Sequence, residues 1–592
     1  MSRFLRVPER LIELLHDKLD KKQFLILSSI LVGLTAGLSA VALKVCVHFL
    51  HGWITGYARQ GHNIYYAAAP LIGIFLSVLF VRIHLKGKLG RGNANILYSI
   101  AKKSSNLPRD QMYSHLVTSA LTVGLGGSAG LESPIVTTGS AIGSNFGKTY
   151  KVTYKDRTLL LASGAAAGIA AAFNSPVAGV LFALEVLLVD VTISAFIPLM
   201  IAAAAGALCS RIILNEKILF VFNLRQPFDY HNVPWYMILG LLCGVGAVMY
   251  SRIFPRIEGL FKKKRENPFP NAIIGGLILS VLILFLPSLF GEGYDSIKYL
   301  ADRRTSLLTA DSILGTAIHS PIWILVFITV VMLFKVVATA VTIGSGGNGG
   351  NFAPSLFVGG YLGFIFSYGI TLTGITTLPV ANFTLVAMAG MLTGIFHAPL
   401  TGIFLIAEIT GGYELMIPLM IVSALSYSLV RYFEPFSMDT KKLAKKGHIF
   451  THDKDRNILS TLKVRKIIET DFQPVQPDMN LGQLVDIVAK SHRNIFPVVT
   501  KYGELEGIIM LDSIREIMFQ REKYDAVTVR QLMRPPAAIV EPDENMVRVM
   551  KKFDETGAWN LPVVENNVYI GFVSKSRIFT NYRSRLITAS GD

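Results

Sequence analysis

Gly126–Gly143, GGSAGLESPIVTTGSAIG, returns 220 residues later as Gly346–Gly363, GGNGGNFAPSLFVGGYLG. Without a gap, Gly126, Gly127, Gly130, Pro134, Gly139 and Gly143 fall on Gly346, Gly347, Gly350, Pro354, Gly359 and Gly363. A second pair follows: Phe173-Asn-Ser-Pro176-Val-Ala-Gly179 ending in Glu185, and Phe396-His-Ala-Pro399-Leu-Thr-Gly402 ending in Glu408. The chain carries one plan twice. Each copy reads as a glycine-rich loop, a proline in a helix's first turn, and an apolar helix with small residues four apart. First-turn amides have no helical partner, so proline is tolerated there, and glycine lets the backbone approach something closely. Those amides and the positive end of the helix dipole attract an anion. Two such helix starts in apolar surroundings have the form of a midplane ion site between inverted repeats.

Hydrophobic residues are 51% of the 592 and charged residues 16%, and long, nearly uncharged runs recur over the first 430 positions. This composition predicts a polytopic membrane protein. The clearest spans are Gln23–Val45, Tyr65–Phe80, Ile193–Ala207, Val233–Met249, Ala272–Leu286, Pro321–Phe334, Phe352–Ile370 and Leu415–Val430. Several are short or broken by glycine and proline, which predicts helices that cross only part of the bilayer and line a polar cavity. Lysine plus arginine (57) exceeds aspartate plus glutamate (40). The excess collects in Arg3–Lys22, Arg252–Arg265 and after Lys441. That is the placement of cytoplasmic segments rather than of a nucleic-acid surface, and it puts both termini in the cytoplasm. The cysteines, Cys46, Cys209 and Cys243, lie in apolar sequence without paired spacing and read as packing residues. The charged, amphipathic start argues against a cleaved signal peptide.

Residues 1–22 read as a basic amphipathic arm, 23–435 as the membrane domain and 436–463 as a linker helix. From Val464 the pattern turns to short β-rich runs between amphipathic helices, and it too repeats. Asn494-Ile-Phe-Pro497-Val-Val with Gly507-Ile-Ile-Met-Leu-Asp512 is echoed by Asn560-Leu-Pro562-Val-Val with Gly571-Phe-Val-Ser574. Residues 464–520 and 528–585 are therefore expected to be two small α/β modules.

With these motifs the sequence resembles the CLC family of chloride channels and chloride/proton antiporters, followed by a tandem of cystathionine-β-synthase (CBS) domains. Gly350-Asn-Phe-Ala-Pro354 is similar to the family's G-x-F-x-P, and Gly130-Leu-Glu132-Ser-Pro134 to G-[KR]-E-G-P, with Glu132 at the gating position. Gly90-Arg-Gly92-Asn-Ala94 takes the place of G-S-G-I-P. The resemblance implies an all-α membrane domain of two inverted-topology repeats, a cytoplasmic α/β CBS pair, and a homodimer with one pore per subunit. The implied anion site comprises Gly90, Arg91, Gly92, Asn93, Gly130, Leu131, Glu132, Gly350, Asn351, Phe352 and Ala353. The departures carry information. Leu131 and Ser133 replace a basic residue and a glycine, Arg91 replaces a coordinating serine, and Phe436–Thr440 lacks the usual tyrosine, so backbone amides must carry more of the site. Val186 stands at the antiporters' inner proton-relay position and cannot carry a proton. In the CBS pair, Asp512 and Ser574 are the candidate nucleotide contacts. Met510 and Arg577 stand where a hydroxyl and an aspartate are usual, so weak or no adenosine-nucleotide binding is expected.

Against each sharp reading stands a plainer one. Glu132 is the sole acid of its stretch, and a carboxylate in apolar sequence is costly enough to be read as functional. Glu185 and Glu408 sit at matching helix ends, where a structural role competes with ion handling. Lys44 and His48 read as snorkelling residues near the interface, and Arg91 as a cytoplasm-facing charge or an anion funnel. No catalytic triad, metal-ligand spacing or nucleotide phosphate loop stands out, so neither enzyme activity nor a cofactor is expected. The expected partners are chloride and similar anions, the lipid of a cell membrane and a second copy of the chain. A cation transporter with CBS regulation, or a membrane sensor that has lost transport, is the alternative.

Overall fold

The computed structural model describes residues 19–59, 63–90, 92–188, 193–214, 226–262, 267–310, 312, 320–444, 459 and 462–590. The first 18 residues of the basic arm, Arg91 and most of 445–461 lie outside them. The chain divides into two compact units, Met1–Gly447 and His448–Asp592.

In the first unit, the first half runs α1 (Lys21–Arg59), α2 (Asn63–His84), α3 (Asn93–Lys102), α4 (Gln111–Gly124), α5 (Glu132–Thr149), α6 (Tyr154–Phe173), α7 (Pro176–Phe182) and α8 (Ile193–Leu214). The second half repeats the order with α9 (Val233–Lys262), α10 (Phe269–Phe285), α11 (Tyr294–Ala301), a short α12 (Ser306–Ala310), α13 (Pro321–Gly344), α14 (Phe352–Thr373), α15 (Val380–Phe396), α16 (Pro399–Ile409) and α17 (Met416–Phe433). The partnerships repeat as well. α5 packs on α6 as α14 packs on α15, α1 packs on α8 as α9 packs on α17, and α2–α10 and α7–α16 join the halves. Among the described residues, seven helical segments are long and apolar enough to cross a membrane, while Pro176–Leu187, Phe269–Phe285, Val380–Phe396 and Pro399–Ile409 are shorter. At about 1.5 Å per residue the 11-residue α16 reaches roughly half of a hydrocarbon core about 30 Å thick.

Small residues set how closely the helices lie. A Cβ on Gly139 would fall 2.1 Å from the Gly164 carbonyl oxygen, so the α5 and α6 backbones touch directly. That replaces the hydrophobic drive that lipid cannot supply with close van der Waals contact. α6 and α15 end alike, on left-handed residues at matched positions, Asn174 (φ 52°) and His397 (φ 57°), whose amides bond back to Ala170 and Thr393. A left-handed residue is the usual way to stop a helix and turn the chain into the next one. The expected linker helix is described only as α18 (Met438–Ala444).

The second unit carries two hairpins in the expected order. They comprise α19 (Leu481–Lys490), β1 (Ile495–Val499), β2 (Leu505–Met510), α20 (Leu511–Ile514), α21 (Val529–Leu532), α22 (Met546–Thr556), β3 (Asn560–Glu565), β4 (Val568–Ser574) and α23 (Lys575–Ser590). Both hairpins are antiparallel, and their registers slip at equivalent places, Val498/Val499 and Val563/Val564. The tight β3–β4 turn is Asn566-Asn567, both at positive φ, the geometry that matches strand twist. Each module has its own apolar core, one around Phe496, Val498 and Ile509, the other around Phe553, Leu561 and Val563. A bridge between Glu469 and Phe572 ties the start of the unit to β4.

Arg493 organises that junction. Its Nη2 donates to Glu469 Oε2 and to Asp471, each at 2.7 Å, and its guanidinium lies 4.6 Å from the Phe472 ring centre. The Arg493 bond holds the Asp471 carboxyl below its ordinary range. A depressed carboxylate pKa contributes stability above the ordinary range and loses it as pH falls through the folded value. Arg493→Ala should destabilise the isolated His448–Asp592 unit by about 1–2 kcal/mol at neutral pH. The gap to the unmodified unit should narrow below roughly pH 4, as read by urea denaturation.

Candidate anion site

The two repeated glycine loops meet. Gly130 N–H donates to the Gly350 carbonyl at 2.9 Å, and Gly350 N–H donates to the Gly130 carbonyl at 2.8 Å, forming a single antiparallel bridge. Neither position admits a side chain. A Cβ on Gly130 would fall 2.1 Å from Glu132 Oε2 and 3.0 Å from the Ala353 nitrogen, and one on Gly350 would fall 2.6 Å from Ser133 Cβ. The loops enter the bridge through matched left-handed glycines, Gly126 (φ 95°) and Gly346 (φ 122°). The next amides, of Gly127 and Gly347, bond back to the carbonyls of Thr122 and Thr342, which closes α4 and α13 in the same way. α5 and α14 then start on either side of the bridge, each with its proline in the first turn.

Glu132 stands at the first position of α5 and is buried. Its Oε1 accepts from the Tyr294 hydroxyl at 2.5 Å. The amides of Ala353 and of Glu132 itself are directed at the carboxylate, although Oε2 meets no donor at full hydrogen-bond geometry. The charge therefore rests on the paired helix starts of both halves. On one side it faces a cavity of about 70 Å³, lined also by Gly92, Asn93, Ala94, Ser133, Gly349, Gly350, Asn351 and Phe352. That volume holds a few waters, or one small anion with part of its water shell. The cavity lining also carries Glu258 and Asp439, the latter accepting from Asn93 Nδ2 at 2.9 Å, and among the described residues no lysine or arginine lines it. Attraction for an anion there comes from backbone amides and helix dipoles.

Helix starts at Gly92–Ala94, Glu132 and Phe352 line this one cavity; the repeat in the sequence pointed to the last two, and Gly92 and Asn93 came only from the family resemblance. Gly90 is packed against the Asn95 and Gln111 side chains and does not line the cavity, and Arg91 lies outside the described residues. The Leu131 amide is already occupied, donating to Glu292 Oε1 at 3.2 Å. Lys44 corrects its reading as a snorkelling residue. It is 8% exposed, and its charge acts on Glu132 and Glu292 because α1 runs through the interior at that point, whereas His48, one turn on, is exposed. Sequence reasoning missed Glu292, Tyr294 and Lys335; a search for lone charges in apolar sequence finds the acid and the lysine, since Gly291-Glu-Gly293 follows an apolar span and Lys335 is the one charge in α13, but gives no signal for Tyr294. It also missed Tyr250, a buried phenol on α9 that donates to Asn351 Oδ1 at 3.0 Å.

Glu185 and Glu408 turn out to be reciprocal caps. Glu408, on α16, accepts from the Val177 and Ala178 amides at the start of α7, at 3.1 and 2.9 Å. Glu185, in the π-helical turn Ala183–Leu187 that continues α7, accepts from the Leu400 and Thr401 amides at the start of α16, at 3.0 and 2.8 Å, and from the Thr401 hydroxyl. Each half closes the other's helix. Val186, beside Glu185, is partly buried and does not line the cavity.

Residues 73–431 match the family model described as voltage gated chloride channel. The chain belongs to this family. Residues 464–519 and 529–584 match CBS domains. Among relatives of this chloride-channel family member, the H(+)/Cl(-) exchange transporter ClcA of Vibrio cholerae is 27% identical, across 72% of this chain and 90% of that protein. Chloride channel protein CLC-f of Arabidopsis thaliana is 25% identical, across 86% and 71%. A eukaryotic CLC transporter structure aligns with 96% of this chain and 98% of its own at a TM-score of 0.60 and 19% identity, a likeness of fold.

In the CBS pair, Ser574 is buried and its hydroxyl donates to Glu469, while Asp512 is exposed and pairs with Arg515. For the membrane unit, Glu185→Ala or Glu408→Ala should each cost about 1–2 kcal/mol, the range of a lost cap, with a lower melting temperature in detergent. Glu→Gln at either site should recover part of it.

Proposed function

We propose that this protein moves chloride across a membrane as a gated pore, with Glu132 as the gate and the CBS pair as a cytoplasmic regulator. The observation that carries the reading is the placement of the buried Glu132 carboxylate on the amides of two helix starts, one from each half, at the wall of a cavity. An ionised carboxylate there is a tethered substitute for the transported anion. It is held by helix dipoles, each contributing about 0.3–1 kcal/mol and up to roughly 2 when partly buried. Protonation removes the charge the amides hold, and a chloride ion competes for them directly, so acid and chloride both favour an open path. The names of the relatives support chloride as the ion, and the anion site would comprise the amides around Glu132 and Asn351–Ala353 with Gly92 and Asn93. Val186 supports passive conduction or weakly coupled exchange rather than tight antiport. Homodimerisation, cytoplasmic termini and residence in the cell membrane complete the proposal.

Reversal potentials of proteoliposomes under separate chloride and cation gradients test the transport class: a potential that follows the cation gradient overturns the reading. Glu132→Ala should keep chloride flux and lose the steep rise of flux with acid, measured by chloride efflux between pH 4.5 and 7.5. For the CBS pair, the engagement of Ser574 with Glu469 supports weak or absent nucleotide binding at Ser574 and Asp512. Calorimetry of the full chain with ATP or AMP checks this, and a micromolar site would overturn it.

A further inference from the structure

Behind Glu132, away from the cavity, lies a second acid that the gate alone does not require. Glu292, in the loop before α11, is partly buried and accepts from the Leu131 N–H at 3.2 Å. That amide adjoins the one at which Glu132 begins α5, so two carboxylates share one helix start. Glu292 feels the charges of Glu132, Lys44 from α1 and Lys335 from α13. Lys335 is fully buried, with Nζ donating to the Gly291 carbonyl at 3.0 Å and lying 4.7 Å from the Phe357 ring centre, both suited to an ammonium. The Tyr294 hydroxyl, on the Glu292 loop's own helix, bonds Glu132. Asp295 follows on the same helix and faces His51 of α1.

Two carboxylates and two ammonium groups in this pocket sum to zero. An anion admitted to the site adds an uncompensated charge to an apolar interior, which is costly, and one proton taken up by either acid removes it. We propose that Glu292 is a second proton-accepting group of the gate: Glu132 and Glu292 act as a pair that takes up a proton when an anion enters, and Glu292 meanwhile guards the Leu131 amide. The inference rests on the anion-transport reading and adds a residue to it. Like-charged neighbours titrate as a unit, so the proton belongs to the pair rather than to Glu132 alone.

Glu292→Gln separates charge from structure, because the amide oxygen of glutamine still accepts from Leu131. The test measures proton uptake by the purified full-length protein in lightly buffered detergent when potassium chloride, rather than potassium gluconate, is added, with calorimetry of chloride binding on the same samples. Glu132→Gln and Glu292→Gln each leave the pocket with one excess positive charge, so an entering anion is balanced without a proton, and uptake should fall to near zero in either single variant and in the double variant. Glu292→Gln should keep chloride binding and shift the midpoint of its pH dependence. Uptake unchanged in Glu292→Gln, while chloride still binds, overturns the inference by itself. Failure of the unmodified protein to bind chloride overturns the transport reading and this inference with it.

Discussion

Two hydrogen bonds between Gly130 and Gly350 hold the centre of the membrane unit. They let two glycine loops abut in apolar surroundings with their bridging amides and carbonyls satisfied, where a buried unpaired backbone group costs several kcal/mol. Once the bridge forms, α5 and α14 must start beside each other with their remaining first-turn amides directed at a common space. The positive ends of two helices are then fixed where neither helix could place them alone.

A positive potential whose source at the described cavity wall is the helix starts, with Lys44 and Lys335 outside that lining, suits transport. Backbone dipoles attract an anion without forming the tight ion pair that would hold it. The same potential has to be filled when no anion is present, and Glu132 does this with its own carboxylate. The buried lysines act on the Glu132–Glu292 pair, while the charged side chains on the described cavity wall are all acids. The lining therefore combines attractive amides with repulsive carboxylates, which favours a transient occupant over a permanently bound one.

The two halves also support each other away from the pore. Glu185 and Glu408 close each other's short helices, and short helices cannot close their own ends in lipid, because four amides remain orphaned at each start. Glutamates that look like ion ligands in sequence are in this fold the means by which partial helices survive. A different device appears in the CBS unit, where the junction at Glu469 is held by the charged network of Arg493 near water and contributes correspondingly less per contact.

The inverted repeat, the membrane class, the proline-started helices, the place of Glu132 at a helix start and the CBS hairpins were legible in the linear chain. Each is written in local spacing: glycines and prolines at a fixed offset, apolar runs of a given length, alternating strands with turn residues. The partners of Glu132 were not legible in that way. Tyr294 is 162 residues away, Leu131 meets Glu292 across 161, and Tyr250 reaches Asn351 across 101. No periodicity encodes such separations. Lys44 looked like a snorkelling residue because a lysine near a helix end is indistinguishable in sequence from one turned inward. Only the packing of α1 against the interior decides whether that ammonium meets water or two carboxylates, and the charge balance at the gate follows from that choice.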